Sequence, residues 1–258
     1  MKDLDDANFI LGIKFWRDQK NRILGLSQAG YINKVLEQFS MQNSKKGLLS
    51  FKHGVLLSDN QRPKTPEEEK TMRQIPYAST VGSLMYVMLC TRLDICYLVG
   101  IVSQYQSNLG PKHWEAVKHI LKYLRRMRDY MLVYYCKDLI IIGYTDSNFQ
   151  SDLDFKKSTS GCVFTLGGGA ISWRSVEQSC VTDSTMETKY VTACEAAKEV
   201  VWLKKFLSDL GIVRIEKVSI TLFCNNNGAV AQSKDPRNES ILKESTISFK
   251  TLLLEEMQ

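Results

Sequence analysis

Two carboxylates and a row of amides draw attention by where they fall in this 258-residue chain. Asp146 lies inside an apolar, strand-like run, LIIIGYTDSNF. Glu187 opens a long helical segment in STMETKY, and Asn225, Asn226 and Asn227 stand where the strand-like ITLFC passes into the helix-like GAVA. The end of a rigid element holds a side chain still, so a strand end opening into a helix is a common place for chemistry in proteins that mix the two. A carboxylate in an apolar strand is costly unless something uses it. Each feature also has a plain structural reading. Ser184 with Glu187 three residues later fits a capping box, and asparagine tolerates left-handed backbone and caps helices, so the amide run fits a strand-to-helix turn equally well. The three positions belong to separate elements that can converge at one end of a sheet.

The elements that would hold them follow from periodicity. From Leu139 the chain reads as three strands joined by short turns, then a long helix over TMETKYVTACEAAKEVVWLKKFLSDLG, a further strand and another helix. This describes an α+β domain of a mixed sheet with helices packed on it. Gly167, Gly168 and Gly169 fall between two strand-like runs and predict a hairpin turn; no helix follows them, which argues against a phosphate cradle. Upstream, NFILGIKFW, the turn RDQKN and RILGLSQ predict a hairpin, followed by a helix carrying Tyr31, Val35, Leu36 and Phe39 on one face. Residues 46–75 are polar and read as a connecting segment. Three helices are expected near 77–90, 94–106 and 111–127, the last opened by Pro111.

Composition narrows the function classes. The seven cysteines form no C-x-x-C pair, and the three histidines, His53, His113 and His119, all lie in the first half, which argues against zinc and disulfide frameworks. No run of about 18 apolar residues is present, so no membrane partner is expected. The start, MKDLDDANF, lacks a basic-then-apolar leader pattern, and the expectation is an intracellular, cytoplasmic or nuclear protein. The net charge of +6 is uneven: residues 1–138 hold 21 Lys and Arg against 13 Asp and Glu, whereas residues 139–258 hold 13 against 15. The surplus peaks in PKHWEAVKHILKYLRRMRDY, where Trp114, Val117, Leu121 and Leu124 recur at helical spacing. Lys112, Lys118, Lys122, Arg125 and Arg126 occupy mostly other positions. Such a cationic side is either a solvated face or a contact for nucleic-acid phosphates.

The runs YTDSNFQSDLDFKKSTSGCVFTLGGGAISWRS, DSTMETKYVTACEAAKEVVWLKKFL and LFCNNNGAVA, in that order, resemble the ribonuclease H domain that closes the Pol polyprotein of copia-type LTR retrotransposons. MKDLDDANFILGIKFWRDQKNRILGLSQAGYINKVL resembles the closing hairpin of the reverse transcriptase palm and the helix after it. YASTVGSLMYVMLCTRLDICYLVGIVSQYQSN and the Trp114 helix look like the thumb and connection that follow. The resemblance spans the chain and implies three parts: a palm-end hairpin, helix and linker over 1–75, a helical thumb and connection over 76–138, and a ribonuclease H-like domain with a five-stranded mixed sheet over 139–258. The polymerase signature Y-V-D-D of the family would lie upstream of the matched segment, and DNA synthesis is not expected from this chain.

Ribonuclease H enzymes place two magnesium ions about 4 Å apart at an RNA phosphodiester, held by four acids. By this resemblance the first acid falls on Asp146 and the second on Glu187, the two expected metal ligands. The third falls on Asn225, and the fourth, through KEST, on Thr246; both are degenerate. An amide keeps a ligand oxygen but no charge, so Mg²⁺ is expected to be held weakly or not at all, with Mn²⁺ as an alternative ion and no small-molecule cofactor. Asp183, Glu244, Asp152 and Asp154 are nearby acids that could compensate in part. Leu93, Asn148, Thr188 and Lys189 also depart from the family pattern, at Pro, an acid, Ala and Glu respectively. Two functions remain: a pseudoenzyme that only binds RNA–DNA hybrid or other nucleic acid, or a Mg-dependent ribonuclease H endonuclease using Asp146 and Glu187.

Overall fold

A computed structural model describes residues 7–49, 57–135, 139–211, 220–226, 228 and 247–251. The chain divides into two compact units, 1–134 and 135–258.

In the first unit, β1 (Phe9–Ile10), β2 (Ile13–Asp18), β3 (Ile23–Ser27) and β4 (Leu132–Tyr135) form a sheet in that order. The expected hairpin is β2 and β3, antiparallel from Lys14 opposite Ser27 to Asp18 opposite Ile23. Its turn is held by the Asp18 carboxylate, which accepts from the backbone and side-chain nitrogens of Asn21 at 3.0 and 2.7 Å. The helices are α1 (Ala29–Gln38), α2 (Pro66–Arg73), α3 (Tyr77–Cys90), α4 (Cys96–Ser103) and α5 (Pro111–Arg126). One core joins residues from both sides of position 75, including Ile32, Val35 and Leu36 of α1, Val81 and Leu84 of α3, Val99 of α4, and Val117, Ile120 and Leu124 of α5.

Within the polar stretch expected to be a connector, α2 is a helix with full local signals. Thr65 accepts from the backbone of Glu68, Pro66 takes the first turn, Glu67 to Glu69 lie at the positive end of the helix dipole, and Lys70 and Arg73 lie at the negative end.

In the second unit, β5 (Ile141–Asn148), β6 (Thr159–Leu166) and β7 (Gly169–Glu177) run as an antiparallel meander. After the 25-residue α6 (Thr185–Asp209), β8 (Ile220–Cys224) returns parallel to β5, and β9 (Ile247–Thr251) pairs parallel to β8. The five-stranded order is β7-β6-β5-β8-β9. A parallel neighbour needs a long crossover, and the chain between β7 and β8, which includes α6, supplies it. The β6–β7 turn is made by Gly167 and Gly168 at φ +58° and +77°, as their spacing predicts. The helix following β8 in the sequence reading lies outside the described residues, apart from Gly228.

The small residues Ala193, Ala196 and Ala197 let α6 sit close to the sheet, packed with Phe164, Ile220, Leu222 and Ile141. Its first two turns are fixed differently, by a buried cluster of hydroxyls. Ser158, Thr182 and Thr188 contact one another through their side-chain oxygens, and Ser160 meets Thr192 at 2.9 Å. Gln178 Nε2 donates to Ser160 Oγ at 2.9 Å and to the Thr188 carbonyl at 3.0 Å. All six side chains are buried. Each hydroxyl both donates and accepts, so the cluster can satisfy most of its members without water.

Candidate functional site

Alternation along β5 decides where Asp146 points. Ile141, Gly143 and Thr145 are buried while Tyr144, Asp146 and Asn148 are exposed. Asp146 therefore stands at the open side of the strand and not in the core, with its side chain 68% exposed. The parallel register sets Thr145 opposite Cys224, and Thr145 Oγ1 donates to the Phe223 carbonyl at 3.2 Å. The residues one step further along each strand, Asp146 and Asn225, thus arrive side by side. Asn225 Nδ2 donates to Asp146 Oδ1 at 3.2 Å.

The third member is Lys189. Its Nζ donates to Asn225 Oδ1 and lies 3.8 Å from Asp146 Oδ1. The amide is electrostatically consistent in this orientation: its oxygen faces the ammonium and its NH₂ faces the carboxylate, whereas the flipped amide would oppose both. One carboxylate, one neutral amide and one ammonium leave the group with no net charge.

Glu187 is used elsewhere. Ser184 Oγ accepts from its backbone at 3.1 Å, and its Oε2 accepts from the backbone of Asp183 at 2.9 Å, so the capping reading describes what its side chain does. Glu187 and Lys189, two apart on the helix, differ in direction by about 200°. It is Lys189 whose side chain meets the strand ends. Lys189 is the site residue that the sequence reading missed. The sequence held part of the signal: positions 189, 193, 196 and 200 follow helical spacing, and the structure shows Ala193, Ala196 and Val200 to be core residues. Thr246 lies outside the described residues. Of the acids considered as compensation, Asp152 spends its carboxylate on its own loop, accepting from the backbones of Asp154 and Phe155 at 3.2 and 2.6 Å.

These donors do not fit a pair of divalent cations. Asn225 turns its oxygen to the ammonium, and the ammonium supplies protons where a metal needs lone pairs. Among the described residues, no group of three His, Cys, Asp or Glu is placed to hold a metal ion.

The first unit carries the cations. On α5, His113, Ala116, Val117, Ile120, Leu121 and Leu124 are buried, Trp114 is half-buried, Lys112 and Arg126 are exposed, and Lys118, Lys122 and Arg125 are half-buried. Gly47 donates to the Lys122 carbonyl at 2.9 Å, so the chain after α1 crosses this helix. That crossing helps shape a cavity of about 220 Å³ lined by Asn33, Gln42, Lys46, Arg125, Arg128 and Asp129, among others. Arg128 is anchored by Asn33 Oδ1 at 3.1 Å and by Asp129. His113 is structural: its Nδ1 accepts from Gly110 at 2.8 Å and its ring stacks on Tyr105.

No family model matches the chain. The retrovirus-related Pol polyprotein from transposon TNT 1-94 of Nicotiana tabacum is 46% identical over 249 residues, 96% of this chain. The chain belongs to the Pol polyproteins of copia-type LTR retrotransposons. Another Pol relative, from transposon RE2 of Arabidopsis thaliana, is 29% identical, again over 96% of the chain. This Pol segment spans 18% of the first polyprotein and 16% of the second. Secreted RxLR effector protein 161 of Plasmopara viticola is 41% identical over 133 residues, covering 51% of this chain and 94% of that protein. Among solved structures, a ribonuclease H1 isolated from compost overlaps 45% of the Pol segment and 86% of its own chain, at 16% identity and a TM-score of 0.33, a likeness too slight to argue from. No helix among the described residues is long and apolar enough to cross a membrane.

Proposed function

We propose that this Pol segment, whose residues 139–258 form a ribonuclease H-like module of a kind that cleaves RNA in RNA–DNA hybrids, keeps nucleic-acid binding without two-metal cleavage. The observation that carries this reading is the closed set of Asp146, Asn225 and Lys189. Two divalent ions 4 Å apart repel by roughly 16 kcal/mol at an effective dielectric of 20, so a lining of several carboxylates is required. This set has one carboxylate, already neutralised. For Mg²⁺ or Mn²⁺ to use Asp146 and Glu187 together, Glu187 would have to give up the hydrogen bond it accepts from the Asp183 backbone.

Binding is assigned to the cations of the first unit. Lys112, Lys118, Lys122, Arg125 and Arg126 line one helix, and Lys46 and Arg128 join Arg125 at a cavity rich in donors. Phosphate oxygens of a hybrid suit such a surface, since backbone contacts need charge and donors but no base readout.

The test is incubation of the chain with a labelled RNA–DNA hybrid in Mg²⁺ and separately in Mn²⁺, with binding followed in parallel. Salt-sensitive binding without cleavage is expected. Cleavage that disappears in Asp146→Asn would overturn the reading in favour of the nuclease.

A further inference from the structure

We infer that Lys189 is a built-in cation which makes this site reject divalent metal ions, so that position 189, more than position 225, decides its ion specificity. The inference deepens the ribonuclease H-like reading of the same site but does not depend on nucleic-acid binding.

Asp146 is open to solvent at 68% exposure, whereas the Lys189 side chain is only 18% exposed. Its stem follows the helix face shared with Ala193 and Ala196, and its ammonium meets the strand ends beside α6. A half-buried ammonium needs anionic or carbonyl partners, and it has both. Asn225 is held between the two charges, its oxygen on Lys189 and its NH₂ on Asp146. A divalent ion approaching Asp146 would meet a like charge 3.8 Å from the same carboxylate oxygen, and an amide whose oxygen is already engaged. Adding a carboxylate at 225 alone would leave that ammonium in place, now paired with two acids. Removing the ammonium both lifts the repulsion and frees the amide oxygen.

The experiment is a Mn²⁺ titration of the full chain without nucleic acid, read by loss of the free-ion paramagnetic resonance signal, with circular dichroism confirming the fold. Four proteins are compared: unmodified, Asn225→Asp, Lys189→Glu, and the double variant. The unmodified chain and Asn225→Asp are expected to show no saturable uptake attributable to Asp146. Lys189→Glu should bind one ion, and the double variant should bind with an affinity at least about tenfold above the detection limit that Asn225→Asp sets. Lys189→Met, which keeps the stem and drops the charge, gives the same comparison if the glutamate variant does not fold, and should bind Mn²⁺ more tightly than the unmodified chain. Asn225→Asp matching the double variant would overturn the inference. So would uptake by the unmodified chain that Asp146→Asn abolishes, or Lys189→Met binding no better than the unmodified chain. Failure of hybrid binding would leave these outcomes untouched.

Discussion

Gly143 is a tight point in the core of the second unit, and replacing it with alanine tests the packing that carries the site. It lies on the central strand β5, opposite Phe164 on one side and Leu222 on the other. A Cβ there would stand 2.6 Å from Leu222 Cδ1 and 2.7 Å from Phe164 Cε1. Ordinary carbon contacts are about 3.5–4.0 Å, so roughly 1 Å is missing on each side. Neither neighbour can retreat, because both are fully buried against α6. Overpacking of this kind costs about 1–3 kcal/mol, offset by about 0.5–1 kcal/mol from the lower chain entropy of alanine when unfolded. The net expectation for Gly143→Ala is a loss of about 1–2 kcal/mol, read as a lower urea midpoint by circular dichroism and faster hydrogen exchange at Phe164 and Leu222. The control is the same swap at Gly82, mid-helix in α3 with nothing within 4 Å, which should gain about 0.5–1 kcal/mol. A midpoint for Gly143→Ala at or above that of the unmodified chain would refute the closeness of β5 to its neighbours, and with it the juxtaposition of Asp146 and Asn225.

Two further outcomes are expected. Burial would raise the Asp94 carboxyl, but the hydrogen bonds it accepts from Arg92 and Tyr123 outweigh this and hold it below the ordinary carboxylate range. A carboxylate depressed on folding contributes stability that is complete above its unfolded pKa of about 3.9 and is lost as pH falls through the folded value. Asp94→Asn should therefore flatten the acid limb of a stability–pH curve and cost about 1–3 kcal/mol at neutral pH, since Arg92 is left buried without its partner; an unchanged acid limb would count against it. For nucleic acid, replacing Lys118, Lys122 and Arg125 with alanine should reduce the slope of log affinity against log salt by about 0.9 for each lost phosphate contact, and an unchanged slope would return these residues to a solvated face.

Much of the fold was legible because periodicity is a direct record of burial. The β2–β3 hairpin, α3, α5, the three-strand meander and α6 all follow their apolar spacing. What escaped was structure whose evidence is local or ambiguous. Helix α2 has almost no apolar face, only Met72 being buried, so its caps and charges were its sole signal. Strand β4, four residues of LVYY, is too short for its periodicity to speak. At the site, Asp146 and Asn225 were readable from their strand ends, although burial was the wrong ground for suspecting Asp146. Glu187 drew attention through its sequence pattern, and that same pattern, the cap, is what occupies its carboxylate. Finding Lys189 required knowing which side of α6 faces β5 and β8, and the alanines spaced from it hold that information only once the helix is placed.

Helix ends ordinarily fray, with their first turns opening to water many times for each opening of the middle. The hydroxyl cluster beneath Thr188 and Thr192 works against that gradient, clamping the beginning of α6 to β6 and β7 while its far end carries the exposed Trp202, Phe206 and Leu210. The end of the helix that bears Lys189 is thereby held as firmly as its core-packed middle, so fraying of the first turn should disturb the ammonium little.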